Sequence, residues 1–279
     1  MVTEGKEGSA GGTHNSRKVP VYDLNGKQAK EIELPEVFST PVRLDLIKRA
    51  VLAIQSANRQ PYAADVMAGK RSSAHYHGER ATRYSMMNKE MARGSRIHNQ
   101  GFLNLTLRIA PHAVKGRGAH PPKLEKIFTE KINKKERQLA TLSAISASAN
   151  FGLVSRRHRI EKIKLPIIFE DSFQALKNTK DVVKALEAVG LKSDLERAGQ
   201  RKIRSGRGKM RGRKYKNKIG PIIVIAKDEG IGNAARNIQG VNVAYAKNLN
   251  SKYLAPGCMP RLSVWSESAI ISLRNARKR

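Results

Sequence analysis

Apolar and polar positions alternate along residues 19–24 (Val-Pro-Val-Tyr-Asp-Leu) and 30–34 (Lys-Glu-Ile-Glu-Leu), the period-two pattern of half-buried strands. Asn25-Gly26 lies between them and favours the positive φ angles of a tight turn, so the pair predicts a β-hairpin. The period then lengthens. Val42, Leu46, Ala50, Val51, Ile54 and Ala57 recur at helical spacing behind Thr40-Pro41, which reads as an N-cap followed by a first-turn proline. A second helix is predicted from the capping-box pattern Asn133-Lys-Lys-Glu136, with Leu139, Leu142, Ile145 and Ala149 as its apolar face and Gly152 closing it. Leu165-Pro-Ile-Ile-Phe169 is a candidate buried strand, and Thr179 caps a helix through Val182, Val183, Leu186 and Val189 to Gly190. In residues 220–226 (Gly-Pro-Ile-Ile-Val-Ile-Ala) five apolar positions follow a proline, which suits a strand covered on both faces of a parallel sheet. A short helix over 232–239, strands over 241–245 and 262–265, and a terminal helix over 267–277 complete the series. Strands alternating with helices predict a layered α/β fold with right-handed crossovers.

Three stretches break this pattern. Residues 1–18 carry Gly5, Gly8, Gly11 and Gly12 among Ser, Thr and Lys, and are expected to be a disordered arm. From 59 to 122 the apolar residues are scattered, and Gly69, Gly78, Gly94, Gly101, Gly116 and Gly118 interrupt any period. Ordinary disorder is poor in aromatics, yet this stretch holds Tyr62, Tyr76, Tyr84 and Phe102, with five of the seven histidines and four of the seven methionines. Order against a partner explains that composition. The third stretch, 201–218, places ten cations and no carboxylate in eighteen positions, with Gly206, Gly208 and Gly212 letting the backbone approach closely. The expected organisation is an arm at 1–18, a globular domain from 19–58 and 123–279, and a long internal loop at 59–122.

Charge identifies the partner. Lys plus Arg number 54 against 23 Asp plus Glu, a net of +31, and self-repulsion of that size requires a polyanion such as nucleic acid. A membrane surface is the competing polyanion, but no uncharged apolar run reaches the roughly 18 residues a spanning segment needs. The single cysteine, Cys258, excludes an internal disulfide and a cysteine-based zinc cluster.

Catalytic signatures are missing. Gly69-Lys70 lacks the upstream glycine and following Ser or Thr of a phosphate-binding loop, and Gly206-Arg-Gly-Lys-Met fails in the same way. Gly230-Ile-Gly232 precedes a helix but lacks the third glycine of a dinucleotide turn, leaving a nucleotide-dependent enzyme only as a runner-up. His75-Tyr-His77 is a candidate metal pair, but with no cysteine nearby and few carboxylates a closed four-ligand site is hard to assemble. No cofactor, metal or catalytic residue is assigned. The histidines and tyrosines suit stacking on unpaired bases, and Met67, Met86, Met87 and Met91 suit gap-filling against RNA.

A resemblance then enters on specific residues. Val21-Tyr-Asp-Leu-Asn-Gly26, Pro41-Val-Arg-Leu-Asp-Leu-Ile47, Lys115-Gly-Arg-Gly-Ala-His-Pro-Pro122, Lys135-Glu-Arg-Gln-Leu-Ala140, Arg211-Gly-Arg-Lys-Tyr215, Ala234-Ala-Arg-Asn237 and Leu254-Ala-Pro-Gly257 occur in order. Together they resemble the large-subunit ribosomal protein L four family in its archaeal and eukaryotic form. The resemblance implies a three-layer αβα body with a mainly parallel central sheet, contacting mainly the first domain of the large ribosomal RNA and neighbouring large-subunit proteins. It implies a cytoplasmic, ribosomal location with no membrane. It also implies that the loop at 59–122 reaches the wall of the exit tunnel and meets the nascent polypeptide. Arms of some thirty residues at about 3.3 Å each span on the order of 100 Å.

Expected RNA contacts in the loop are Arg59, Lys70, Arg71, Arg80, Arg83, Arg93, Arg96, Arg108, Lys115, Arg117 and His120. In the second basic stretch they are Arg201, Lys202, Arg204, Arg207, Lys209, Arg211, Arg213, Lys214, Tyr215, Lys216 and Lys218. The expected tunnel-proximal tip is Gly78, Glu79, Arg80, Thr82, Arg83 and Tyr84, where many relatives carry a Gly-His-rich, proline-containing segment instead.

Overall fold

A computed structural model describes residues 18–160 and 163–276. The expected N-terminal arm, except Lys18, and the last residue of the expected terminal helix, Arg277, lie outside the described residues. The chain divides into two compact units, Ser56–Thr129 and the remainder, here called the body.

In the body, strands β1 (Lys18–Tyr22) and β2 (Gln28–Glu33) pair antiparallel. Gly26 in their turn has φ +76°, and a Cβ there would press to 2.6 Å from the Ala188 carbonyl oxygen, so glycine is required twice over. Helix α1 (Leu44–Ala57) starts later than Thr40-Pro41 implies. Thr40 instead ends a 3-10 turn at Glu36–Ser39 in an extended conformation, as a residue before proline prefers. The Arg43 N–H donates to Ser143 Oγ at 2.6 Å, and Ile47 N–H donates to the Arg43 carbonyl, so the helix begins there.

Helix α2 (Lys134–Ser148) has Asn133 at its N-cap, but the capping box does not close: Glu136 pairs with Arg49 of α1 at 2.7 Å. Its expected apolar face is also displaced. Leu139 is half exposed, and the buried stripe is made of small residues, among them Ala140, Ser143, Ala144 and Ala147, with Ile145. Gly152 does not close α2; it lies inside the next short helix, α3 (Phe151–Val154), whose Asn150 side chain caps the Gly152 N–H at 3.0 Å.

Strand β3 (Ile167–Phe169) and helix α4 (Thr179–Ala188) follow as expected, with Asn178 rather than Thr179 at the N-cap and Gly190 beyond the end at φ +91°. Helix α5 (Lys192–Gly199) has no counterpart in the periodicity. The basic stretch forms β4 (Lys202–Ile203) and β5 (Tyr215–Lys216), an antiparallel pair. Then come β6 (Ile222–Ile225), α6 (Ile231–Arg236), β7 (Asn242–Tyr245), α7 (Ser251–Leu254), β8 (Ser263–Ser266) and α8 (Glu267–Ala276).

The main sheet has the order β2-β1-β3-β8-β6-β7; only β1 and β2 pair antiparallel. Side-chain alternation sends its residues to two cores. Ile168, Ile222, Val224 and Trp265 pack with Ile47 of α1, Ala144 of α2 and Ile270 of α8. Ile167, Phe169, Ile223, Ile225 and Val264 pack on the other side with Leu186 of α4 and Ala234 of α6. Every residue of β3, β6 and β8 is buried, which explains the unbroken apolar runs of β3 and β6, and with helices on both faces this makes a three-layer αβα body.

One charged cluster lies inside this body. Asp194 of α5 is fully buried and accepts from His158 Nδ1 at 2.9 Å, Arg197 Nε at 2.8 Å and the Arg159 N–H at 3.1 Å. Nearby, the buried Arg261 guanidinium donates to the carbonyls of Gly220, Pro221 and Gly240 at 2.5, 2.9 and 2.7 Å, clamping the entry to β6 against the turn before β7. Buried charge is tolerable when hydrogen-bonded as the Asp194 carboxylate and the Arg261 guanidinium are here.

Candidate nucleic-acid interface

Residues 201–218 project as a ribbon: β4 and β5 pair through Lys202 with Lys216 and Ile203 with Tyr215, and a 3-10 turn at Arg207–Arg211 joins them. Gly206 (φ +80°) and Gly212 (φ +77°) flank that turn, and the space around both is open. Arg204 is partly drawn in, its backbone N–H and Nε donating to the Lys214 and Arg213 carbonyls at 2.8 and 3.1 Å. Lys218 donates to Gln200 Oε1 at 3.0 Å. Arg201, Lys202, Arg207, Lys209, Arg211, Arg213, Lys214 and Lys216 are exposed, and among the described residues none of them forms an ion pair. Ile203, Met210 and Tyr215 stand exposed between them, and Lys214 Nζ lies 5.6 Å from the Tyr215 ring centre. Unpaired cations interleaved with exposed flat or flexible apolar groups suit a phosphate backbone with accessible bases.

The unit Ser56–Thr129 is built mostly of turns, with one 3-10 helix at Gly101–Leu103. Single bridges tie His75 to Arg96 and Arg96 to Leu107, both antiparallel. Met86 is buried in the protein itself rather than left open to fill a gap against a partner, as are Ala74 and Ile97, whereas Met67 and Met91 are exposed. Two glycines make close backbone approaches, since a Cβ on Gly69 would collide with the Gly116 carbonyl and one on Gly116 with the Ala110 carbonyl.

Of the cations expected to contact RNA in this unit, Lys70, Arg80, Arg83, Arg93, Lys115 and Arg117 are exposed, as is His120. Arg59 caps Tyr62 and Phe128 at 5.2 and 4.7 Å from the ring centres, and those two rings stack at 5.4 Å. Arg71 is paired with Asp65, and Arg108 donates to the Val114 carbonyl at 2.5 Å. Arg96 is placed differently. It is buried, donating to the Leu105 and Ala92 carbonyls at 2.7 Å each, and so acts as an internal brace.

At the expected tip, Gly78, Glu79, Arg80, Thr82 and Arg83 are exposed, and Thr82 Oγ1 donates to the Glu79 carbonyl at 2.8 Å. Tyr84 turns inward, stacking on His98 at 4.5 Å and accepting from Asn99. His98 also meets His75 and His77, with ring centres 4.8 and 5.2 Å away. Burial, reinforced by those two rings, holds the His98 pKa below the usual imidazole range. Residue spacing alone does not reveal this convergence, because His98 is brought in by long-range pairing.

The runner-up nucleotide site has a concrete obstacle. Asp228 Oδ1 accepts from the Gly230 and Gly232 N–H groups at 3.0 Å each, placing a carboxylate where a dinucleotide phosphate would have to sit. Among the described residues no helix is long and apolar enough to cross a membrane.

A three-layer α/β body bearing a carboxylate-free cationic ribbon defines a strongly basic α/β protein. Residues 32–276 match the sequence profile of the Ribosomal protein L4/L1 family. The chain is 44% identical over 255 residues to "Large ribosomal subunit protein uL4" of Archaeoglobus fulgidus, covering 91% of this chain and 96% of that one. It is 46% identical over 260 residues to the protein of the same name from Methanocaldococcus jannaschii, covering 92% and 98%, and 41% identical over 260 residues to that of Methanosphaera stadtmanae, covering 92% and 96%. The chain belongs to the ribosomal protein L4/L1 family.

Proposed function

We propose that this protein is a structural constituent of the large ribosomal subunit that binds large-subunit ribosomal RNA and neighbouring proteins, supports assembly, and lines part of the nascent-peptide exit tunnel. The observation that carries the RNA reading is the ribbon at 201–218, with eight exposed and unpaired cations. In free protein such a surface repels itself; against phosphate it releases counterions. Lys70, Arg80, Arg83, Arg93, Lys115 and Arg117 extend the same chemistry into the unit Ser56–Thr129, with Arg59, Arg71, Arg108 and His120 beside them. Exposed Phe102, Val66 and Val114 there are large apolar groups that a folded partner would cover. Gly78 to Tyr84 form the segment proposed to face the tunnel.

Sedimentation of a cell extract tests the coarser part: the protein should travel with large subunits at one copy each, and an entirely free pool would overturn the reading. Replacing Arg83 by a photoreactive amino acid tests the finer part. Crosslinks to a stalled nascent chain are expected, and crosslinks to ribosomal RNA alone would remove the tip from the tunnel wall.

A further inference from the structure

We propose that His75, His77 and His98 form a site for a divalent transition metal, Zn2+, that pins two separate segments of the unit Ser56–Thr129 together. The three residues each offer a ring nitrogen, and these nitrogens all lie within 4.8 Å of one another. Two further observations point to a ligand rather than to simple packing. Both ring nitrogens of His98 are buried and have no hydrogen-bond partner, although a buried imidazole is costly to leave unsatisfied. His75 is already oriented as a metal ligand: its Nδ1 lies 3.0 Å from the Ser73 carbonyl oxygen and donates to it, so Nε2 is the ring nitrogen that carries the lone pair. Histidine ligands are commonly fixed by such a bond to a backbone carbonyl. That Nε2 faces the Nε2 of His77, so two ring nitrogens already converge on one point.

The chain geometry supports this convergence. His75 and His77 are two residues apart on an extended segment, so their rings fall on the same side, with centres 4.2 Å apart. His75 and Arg96 exchange backbone hydrogen bonds at 3.2 and 3.1 Å, and the buried Arg96 guanidinium braces the returning segment, which brings His98 alongside. Tyr84 stacks against the outer face of His98 and limits its rotation. A tetrahedral zinc ion with nitrogens at 2.0–2.1 Å sets them about 3.3 Å apart, which small ring rotations would reach. Imidazole is a borderline ligand that suits zinc, and three histidines leave a fourth position for water. Such an ion closes the loop of residues 78–97 and offsets part of its ordering entropy. The proposal rests on the convergence of the rings, the unpartnered His98 nitrogens and the orientation of His75, and stands apart from the RNA reading.

The test uses the full-length chain, stripped with a chelator and titrated separately with Zn2+ and Co2+. One equivalent of each should bind, with Co2+ giving the intense visible absorption of tetrahedral coordination. Loss of a partner that merely orients a ligand costs about 10–100-fold in affinity, so His98→Ala should weaken binding by at least about 100-fold. His98→Asn, which keeps a polar group without the ring nitrogens, should show the same loss, and His112→Asn should change nothing. Fluorescence of Trp265 checks the body, and amide hydrogen exchange within Ser56–Thr129 checks that the unit holding the histidines stays folded in each variant. Equal affinity in wild type and His98→Asn, or no stoichiometric binding by wild type, would overturn the site.

Discussion

Asp194→Ala is expected to lower the stability of the body by about 3–5 kcal/mol, a large share of the roughly 5–15 kcal/mol that folded domains possess. The reason is geometric. Asp194 is completely buried, and its removal leaves His158 Nδ1, Arg197 Nε and the Arg159 N–H without their acceptor in a site closed to water. Urea unfolding followed by Trp265 emission measures the loss, and a change below about 1 kcal/mol would show that the cluster is dispensable. Asp194→Asn should cost less, since its amide oxygen still accepts. The same cluster sets a pH dependence. Burial raises the Asp194 pKa, but the hydrogen bonds from His158 and Arg197 outweigh it and hold the carboxyl below its usual range. Burial lowers the His158 pKa despite its bond to Asp194. Both folded-state values are depressed, so the unfolded chain binds more protons in acid and the contribution is lost as pH falls. His158 contributes fully above about pH 6.5, Asp194 above about pH 3.9, and melting temperatures should decline first below the histidine value. Stability that is level from neutral pH down to the carboxylate range would contradict the buried-histidine account.

The sequence reports most clearly where one physical cause dominates. Strands β3 and β6 are buried on both faces, so their apolar runs announce them, and the Asn-Gly turn marks the first hairpin because only small or permissive residues fit there. Helix α5 escapes the periodicity because its buried residues include a charged one, Asp194, beside Ala198. The stripe of α2 is misread for a related reason: alanine and serine form the inward face, while the conspicuous Leu139 points outward. At the candidate interface the density of cations is visible in the sequence, since carboxylates are missing from the whole window 201–218. What Arg96 and His98 do is not visible. Their roles depend on a bridge to His75 twenty-one residues earlier for Arg96, and no local period encodes a contact of that kind.

Replacing Arg211, Arg213 and Lys214 together by glutamine should weaken binding of the full-length chain to large-subunit ribosomal RNA on the order of 100-fold at moderate salt and flatten its salt dependence. Each phosphate neutralised contributes about 0.7 to 0.9 to the slope of log affinity against log salt, so three lost contacts should reduce the slope by about 2 to 3. These residues are chosen because the structure leaves them exposed and unpaired, whereas Arg204 and Lys218 are engaged with the body's own chain. The fold should be unaffected: the ribbon's backbone pairing involves Lys202, Ile203, Tyr215 and Lys216, and Trp265 lies in a separate core. A slope that stays the same while affinity falls would mean the three cations act by shaping the ribbon rather than by touching phosphate. Lys27→Gln, on the hairpin turn, removes a charge without touching the proposed interface and should leave the slope unchanged, which separates contact from net charge.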